Sequence, residues 1–551
     1  MMEWNLADVW EAVADSGPDR PAQRCGGRTS TWSQFDRRAD ALARDLLQRG
    51  LSRQGKVAAY LYNGPEYLET YFAAFKAAGV PVNVNYRYGP GELAYLLENS
   101  DAEAVVFHAG FAPALEPIRA SLEQVRTWYA VADGCPAPDW AVPYESVVGA
   151  AGSGSEPMPA GSRVQPPGGR SGDDLLLLYT GGTTGMPKGV MWRQDDLVRV
   201  LGGGGNLMVG LGPAEDMVEL RARLAPGDLA SVGLPACPLM HGTGQFSAFI
   251  AMILGGCIVT MPDHRFDPVA LWDTVAREGV NTVSIVGDAF ARPMLAALDA
   301  EPRRWDLSSV RIINSSGVMW SQEVKDGLLG HMPGVILFDS LGSSEAVGMG
   351  ASLAGAGMSA GTASFGLGAG ARVIGDDDRD VEPGSGQVGV IALPGNIPVG
   401  YYKDPEKTAR TFRSIEGVRY TIPGDCATVD ADGSIRLLGR GSAVINSGGE
   451  KIYPEEVEEV IKRLPGVRDA VCVGLPDDRF GERVCALVER AVDGPSATTV
   501  QEGLITDAVR AELAAYKVPR AVFFLDSIGR SPAGKVDYPG LKRRAQELAA
   551  I

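Results

Sequence analysis

The chain lacks the marks of a membrane, secreted or nucleic-acid-binding protein. No apolar run in its 551 residues reaches the roughly 18 residues that a spanning helix needs. The opening Met1-Met2-Glu3-Trp4-Asn5 has no basic stretch followed by an apolar core, so no signal peptide is expected. The cysteines, Cys25, Cys135, Cys237, Cys257, Cys426, Cys472 and Cys485, are odd in number and none forms a C-x-x-C pair. That speaks against a disulfide framework and for a reduced, cytoplasmic protein. Only four histidines occur, and no group of His, Cys and acidic residues has zinc-ligand spacing. Basic residues are outnumbered, 51 Lys and Arg against 68 Asp and Glu for a net charge of -17. Nucleic acid and anionic membrane are therefore poor bulk partners, although a local basic site for a phosphorylated ligand remains open.

What is present suits a large globular protein. The hydrophobic fraction is 45%, and at about 150 residues per domain the length suggests three or four folding units. Near the N-terminus, Leu6, Val9, Trp10 and Val13 recur at helical spacing, and a second helix is expected through Leu47 with Ser33 as its N-cap. Strands are predicted at Val57–Tyr62, Val80–Val84 and Ala104–Phe107, with helices at Glu66–Ala78 and Gly91–Asn99 between them. Strand–helix alternation of this kind predicts an α/β architecture with a largely parallel sheet. Residues 150–172, rich in Gly, Ser and Pro, read as a linker or surface loop.

The stretch Tyr179-Thr180-Gly181-Gly182-Thr183-Thr184-Gly185-Met186-Pro187-Lys188-Gly189 organises the rest. The apolar run Leu175 to Leu178 before it predicts a buried strand. Glycines let backbone approach a ligand, successive N–H groups and hydroxyls can surround an anion, and Lys188 adds a positive charge. It is not a Walker A loop, because Lys188 lies between Pro187 and Gly189. Downstream come His241 in a Pro- and Gly-framed segment, and a strand ending in Ser315-Ser316-Gly317. A further strand, Val335–Asp339, leads into a loop Ser340-Leu341-Gly342-Ser343-Ser344-Glu345. Then follow Gly400-Tyr-Tyr-Lys-Asp-Pro-Glu-Lys-Thr408, Gly424-Asp425, Leu437-Leu-Gly-Arg440-Gly-Ser442, Gly448-Gly449-Glu450-Lys451 and Ser531-Pro-Ala-Gly-Lys535. Gly366-Leu-Gly368-Ala-Gly-Ala371 superficially suits a dinucleotide fingerprint, but Arg372-Val-Ile reads as strand, so that assignment is rejected. Gly202–Gly205 reads either as a flexible turn or as a floor left bare for a bulky substrate.

In this order, over essentially the whole chain, these segments resemble the motifs of the adenylate-forming superfamily: acyl-CoA synthetases, adenylation domains and luciferases. Met191-Trp-Arg-Gln194, Gly342–Glu345 and Ser531–Lys535 resemble most closely those of actinobacterial fatty-acid-type ligases, some of which act on fatty acids and some on steroid side-chain acids. The resemblance implies a large N-terminal domain, residues 1–439, of two βα-layered sheets plus a small β-barrel-like subdomain. A small mobile α/β C-terminal domain, residues 440–551, would follow, hinged near Ser442.

The resemblance also implies the chemistry. A carboxylate attacks the α-phosphate of MgATP to give acyl-AMP and pyrophosphate, and the thiol of coenzyme A then takes the acyl group and releases AMP. Thr180, Gly181, Gly182, Thr183, Thr184, Gly185 and Lys188 would hold phosphate, with Thr184 acting in catalysis. His241 would orient or gate the acid. Ser315, Ser316 and Gly317, together with Asp339, Ser340, Gly342 and Ser343, would hold the nucleotide, although Leu341 departs from the usual Tyr that packs on adenine. Ser344 would touch the α-phosphate and Glu345 would ligate Mg²⁺, a hard cation that prefers carboxylate and phosphate oxygens. Asp425 would accept from the ribose hydroxyls and Arg440 would contact ribose or phosphate. Lys535 would bridge the acid and the α-phosphate. Turning about Ser442 would then bring Gly448, Gly449 and Lys451 to the coenzyme A channel. Walls of the acid pocket would come from Gly202–Gly205, His241–Gln245, Val286–Asp288 and Ser316–Met319. Expected partners are the small acid, ATP and coenzyme A, with a homodimer the only assembly entertained. Two alternatives stand: a ligase that loads a carrier protein or activates nitrite for diazotisation of an aryl amine, and a non-catalytic nucleotide-binding protein. Intact Lys188, Glu345, Asp425, Arg440 and Lys535 argue against the latter.

Overall fold

The computed structural model of the chain describes residues 3–550 except 152–155, 160, 181–185, 207–208, 319, 356–362, 441–443, 448–449, 478–480, 492–499, 514 and 531–535, and the side chains of Arg440, Asn446, Glu450 and Lys451 also fall outside it. Packing divides the chain into two compact units. One is Met1–Ala360 with Pro394–Thr421, and the other is Gly361–Leu393 with Ile422–Ile551.

Among its described residues the first unit carries two sheets. One has the strand order Gly400–Tyr401, Lys188–Arg193, Leu175–Thr180, Val80–Asn83, Lys56–Tyr60, Ala102–His108, Thr127–Val131, Val142–Pro143. It is parallel from Leu175–Thr180 onward and antiparallel at the edge that holds Lys188. Val82, Val105, Phe107 and Leu177 fill its core. The other runs from Arg28–Thr31 and Pro21–Cys25 through Cys257–Thr260, Val232–Pro235, Thr282–Ile285 and Ile312–Ser316 to Ile336–Ser343 and Ala346–Ala354. Its core holds Trp272, Val283, Met294, Ile313 and Leu337. Near-continuous apolar strands of this kind are what a parallel sheet covered on both faces requires.

Helices tie the two sheets together. Pro65–Lys76 is buried along its whole length, and Trp10 meets Phe72, Phe75 and Phe249 edge-on with ring centroids 5.3, 5.8 and 5.2 Å away. The helix Trp32–Gln48 begins differently from expectation. Thr31, not Ser33, is its cap: Thr31 Oγ1 accepts from the Gln34 N–H, and Gln34 Oε1 accepts from the Thr31 N–H. This reciprocal arrangement satisfies two donors at once. Ser33 lies inside the first turn and donates to the Glu156 carbonyl. The segment expected as a linker or surface loop is strapped down in its described part. Arg163 pairs with Asp15 at 2.7 Å and Asp36 at 2.8 Å, Arg170 with Asp8 at 2.7 Å and Glu11 at 2.9 Å, and the Val164 N–H donates to Asp40.

Gly202, Gly203 and Gly204 have φ of +99°, +53° and +78°, and a Cβ on Gly204 would come within 2.6 Å of Leu220. They form a left-handed turn that closes the helix Gln194–Val200 against the helix Met217–Leu224. Side chains are excluded there by packing and by backbone conformation alike.

In the second unit, Ser364–Leu367 pairs with Ile435–Arg440, which pairs with Asp425–Val429, all antiparallel. Strand follows the glycines at 366–370, as Arg372–Ile374, in agreement with rejection of the dinucleotide fingerprint. Beyond lies a five-stranded sheet built on the hairpin Val467–Asp477 and Gly481–Arg490. The helices Pro454–Lys462 and Glu502–Glu512 cover one apolar cluster and Tyr538–Ala549 another. No helix among the described residues is long and apolar enough to cross a membrane.

Candidate functional site

The phosphate-loop segment leaves one strand and returns on the next. Thr180 pairs directly with Lys188, and Tyr179 with Gly189, across the antiparallel strands Leu175–Thr180 and Lys188–Arg193. Thr180 and Lys188 are therefore held at the two roots of a hairpin end. Gly181, Gly182, Thr183, Thr184 and Gly185 lie outside the described residues. Lys188 Nζ forms an ion pair with Asp404.

The buried side chain of Asn83 holds the root of this loop. Its amide donates to the carbonyls of Tyr179 at 2.8 Å and Met240 at 2.7 Å, and its Oδ1 accepts from the Tyr179 N–H at 2.5 Å. Asn63 acts on the same neighbour, donating to the Cys237 carbonyl at 3.0 Å and accepting from the Leu239 N–H at 2.7 Å. Asn83, the last residue of its strand, and Asn63, three residues beyond the end of Lys56–Tyr60, thus fix the segment that leads to His241. His241 is the half-buried residue from which the helix Gly242–Ile253 springs. Below it Gln245 donates to the buried hydroxyl of Tyr67 at 3.1 Å.

Ser315 and Ser316 lie in register with Asp339 and Ser340, and Ser315 Oγ accepts from the Gly287 N–H at 2.9 Å. Gly317 follows with φ +90°, and a Cβ there would stand 3.8 Å from Thr243 Oγ1 in the helix after His241. The structure brings these residues to the side of the His241 segment.

The next motif departs from the expected strand-then-loop form. The strand does not end at Asp339 but runs as Ile336–Ser343, because Ser340 and Leu341 pair onward with Ala351 and Gly350. Ser344 and Glu345 are then the two-residue turn into Ala346–Ala354, with Ser343 paired to Ala346. Asp339 is buried and accepts from Lys325 Nζ at 2.9 Å. Burial pushes its carboxyl up while Lys325 opposes the shift.

The Ser344–Glu345 turn is tied to the first sheet at two points. Trp192 Nε1 donates to the Ser344 carbonyl at 3.0 Å, and the Tyr401 hydroxyl donates to Glu345 Oε1 at 2.6 Å. Tyr401 pairs through its backbone with Val190. Lys188, Trp192, Tyr401 and Asp404 therefore come from neighbouring strands and their continuations. Trp192 and Tyr401 hold Ser344 and Glu345 where the two sheets of the first unit meet. Glu345 is buried and offers a carboxylate suited to a hard cation. No group of three metal-ligating side chains occurs among the described residues. A Mg²⁺ held by one carboxylate with phosphate and water oxygens fits that donor set.

In the second unit, Asp425 is buried at the head of its strand and pairs in register with Arg440. The helix Pro454–Lys462 sets Glu455 against this hairpin. Gly439 has φ +93°, and a Cβ on it would strike the Glu455 carboxyl at 2.1 Å. Burial, with Glu458 and Asp425 adding repulsion, raises Glu455 to about 8. The side chains of Arg440 and Lys451, and all of Ser442, Gly448, Gly449 and Lys535, lie outside the described residues.

Sequence reasoning had no means of finding Asn63 and Asn83 as parts of this arrangement, or the contacts of Trp192, Tyr401 and Asp404. The motif at 400–408 was recognisable, but nothing in it says which partners its side chains meet.

Residues 10–402 match the family described as AMP-binding enzyme, and residues 456–535 match the AMP-binding enzyme C-terminal domain. The chain is 42% identical to a 3-oxocholest-4-en-26-oate–CoA ligase from Rhodococcus rhodochrous, over 98% of this chain and 95% of that protein. It is 41% identical to a medium/long-chain-fatty-acid–CoA/3-oxocholest-4-en-26-oate–CoA ligase from Mycobacterium tuberculosis, over 99% and 97%. A feruloyl-CoA synthase from Amycolatopsis is 31% identical over 96% and 97%. Among solved structures, an anthranilate CoA ligase, AuaEII, in complex with anthranoyl-AMP superposes with a TM-score of 0.83 at 21% identity, covering 100% of this chain and 99% of that one. That similarity concerns the fold alone.

Proposed function

We propose, from the premise that the chain belongs to the family of AMP-binding enzymes and is an ATP-dependent acid–CoA ligase, that its acid is a long-chain or steroid-like aliphatic carboxylic acid. One observation carries the choice of acid. The relatives above 40% identity over nearly the whole chain are named for fatty acids and 3-oxocholest-4-en-26-oate, whereas the relative named for an aryl acid stands at 31%.

In the reaction, a carboxylate oxygen of the acid attacks the α-phosphorus of ATP, and pyrophosphate leaves. The coenzyme A thiol then attacks the acyl carbon, and AMP leaves with the electron pair. Thr180–Gly185 and Lys188 hold phosphate oxygens, Ser344 contacts the α-phosphate, and His241 orients the acid. Ser315, Ser316, Gly317, Asp339, Ser340, Gly342 and Ser343 line the nucleotide. Asp425 accepts from the ribose and Arg440 contacts ribose or phosphate. Glu345, oriented by the Tyr401 hydroxyl, is the residue that would hold Mg²⁺. When bound, the ion would offset the charge that develops on the phosphates. Lys535 enters from the small domain for the first step. Rotation near Ser442, with residues 440–551 as the moving part, withdraws it and presents Gly448, Gly449 and Lys451 to pantetheine. The cytoplasm supplies ATP and coenzyme A.

The test is pyrophosphate release with MgATP across acetate, long-chain, aryl and steroid acids, with and without coenzyme A, and with nitrite plus an aryl amine. Sustained release only with a long-chain or steroid acid and coenzyme A together is the expected result. Turnover with aryl acids in preference, or with nitrite and amine regardless of coenzyme A, refutes the proposed acid or acceptor.

A further inference from the structure

Asp404 does two things with one carboxylate. It caps the helix Pro405–Thr411, its Oδ1 accepting from the Lys407 N–H at 2.9 Å, and its Oδ2 pairs with Lys188. Neighbouring contacts fix where that carboxylate stands. Thr408 Oγ1 donates to the Asp404 carbonyl at 2.7 Å and accepts from the Tyr401 N–H at 2.9 Å. Tyr402 and Lys403 both bond Asp101 at 2.7 Å, and the Tyr402 N–H donates to the Gly189 carbonyl at 2.8 Å. Lys188, by contrast, reaches Asp404 on a flexible four-carbon stem. The fixed partner therefore sets the direction of the flexible one. Lys188 and the Lys407 N–H together hold the Asp404 carboxyl below the usual carboxylate range.

We infer that Asp404 is a positioning residue for ATP: it holds the Lys188 ammonium at the root of the phosphate loop, so that its remaining N–H donors meet the β- and γ-phosphates without a search. The inference rests on the assignment of Lys188 to phosphate. An ammonium has three donors, so one can stay on Asp404 while the others turn to the ligand. A half-exposed pair of this kind changes affinity by about fivefold.

Asp404→Asn separates the two tasks. Asn caps a helix as well as Asp does, but its amide carries no charge to hold Lys188. Asp404→Ala loses both. The experiment is calorimetric binding of MgATP and of AMP to the full chain, with thermal unfolding of each variant. The expected result for Asp404→Asn is MgATP affinity weakened about fivefold, AMP affinity and melting temperature unchanged, and no further loss when it is combined with Lys188→Ala. Asp404→Ala loses the same factor for MgATP and also melts lower. Wild-type MgATP affinity in Asp404→Asn overturns the inference. So does equal weakening of AMP and MgATP, and so does a full fivefold loss in the Lys188→Ala background. A wild-type chain that binds no MgATP refutes the functional assignment instead.

Discussion

In the first unit the fully buried ammonium of Lys76 sits among Glu11 at 2.6 Å, Asp36 at 2.7 Å and Asp40 at 3.6 Å. In the second, the carboxyl of Glu455 lies against the backbone of Gly439, and among the described residues its Oε2 has no hydrogen-bond partner. Both groups have left water. Lys76 is met by carboxylates from two helices, and Arg163 and Arg170 share those carboxylates in turn. Burial alone would raise the Glu11 carboxyl, yet Lys76 and Arg170 bring it below its ordinary value. Glu455 is repelled by Glu458 and Asp425, and its own backbone N–H and Lys462 offset burial only in part. A network of opposed charges belongs to a scaffold that has no need to come apart. The Glu455 carboxyl, one of whose oxygens lacks a partner among the described residues, lies between residues on the two sides of the proposed hinge at Ser442, where a contact would have to be breakable.

The largest effect that would break this comparison lies at Lys76. Removing one partner of a buried ion cluster leaves charge without compensation, and Lys76→Met should lower unfolding free energy by roughly 3–5 kcal/mol. Urea unfolding of the full chain checks it. A near-neutral result would mean that the cluster is an ornament of packing and that the two units do not differ in this respect.

Next in size is a prediction about chemistry. If the second unit supplies a group needed in only one half-reaction, Lys535→Ala should slow acid-dependent pyrophosphate release by at least about 100-fold. Thioester formation from supplied acyl-AMP should barely change. Loss confined to the second step would contradict both the assignment and the division of labour.

Smaller again is the effect of Asn63→Asp within the first unit. It keeps the acceptor for the Leu239 N–H but loses the donor to the Cys237 carbonyl, and it loosens the segment that leads to His241. A net loss of about 1 to 1.5 kcal/mol corresponds to a roughly tenfold higher KM for the acid, with KM for ATP unchanged. Equal changes in both constants would show a general loss of structure instead of acid positioning.

What the sequence revealed, and what it concealed, follows the same physics. A strand such as Leu175–Thr180 is legible because burial on both faces makes it a continuous apolar run. The motifs carrying Lys188, Glu345 and Asp425 are legible because unusual residue types recur in a known order. The strand extension through Ser343 was hidden, since Ser-Leu-Gly-Ser reads as loop until Ala351 and Gly350 are seen opposite it. Thr31 outcompeted Ser33 as a cap through a reciprocal bond with Gln34, a choice decided by backbone geometry. Asn63, Asn83, Tyr401 and Asp404 act on residues between 56 and 216 positions away. No local pattern encodes such partners.

The prediction that sharpens the comparison most is a pH slope. Glu455 is raised from its ordinary 4.5 to about 8, by burial first and by Glu458 and Asp425 after it. Between those values the folded protein keeps a proton that the unfolded chain has released. By linkage, stability falls as pH rises through that window. The contribution is fully present below about 4.5 and lost above about 8. Glu458 itself accepts from the Cys472 N–H at 2.9 Å and pairs with Lys462 at 3.4 Å. Glu455→Gln keeps the shape and removes the titration. Calorimetric unfolding of the full chain from about pH 5 to about pH 9 should then show a wild-type melting temperature that declines with pH more steeply than that of Glu455→Gln, the difference centred between the two pKa values. Identical slopes would mean that the Glu455 carboxyl already ionises at its ordinary pKa in the folded protein. Gly439 and the helix Pro454–Lys462 would then be joined by packing alone, and the contact across the hinge would owe nothing to charge.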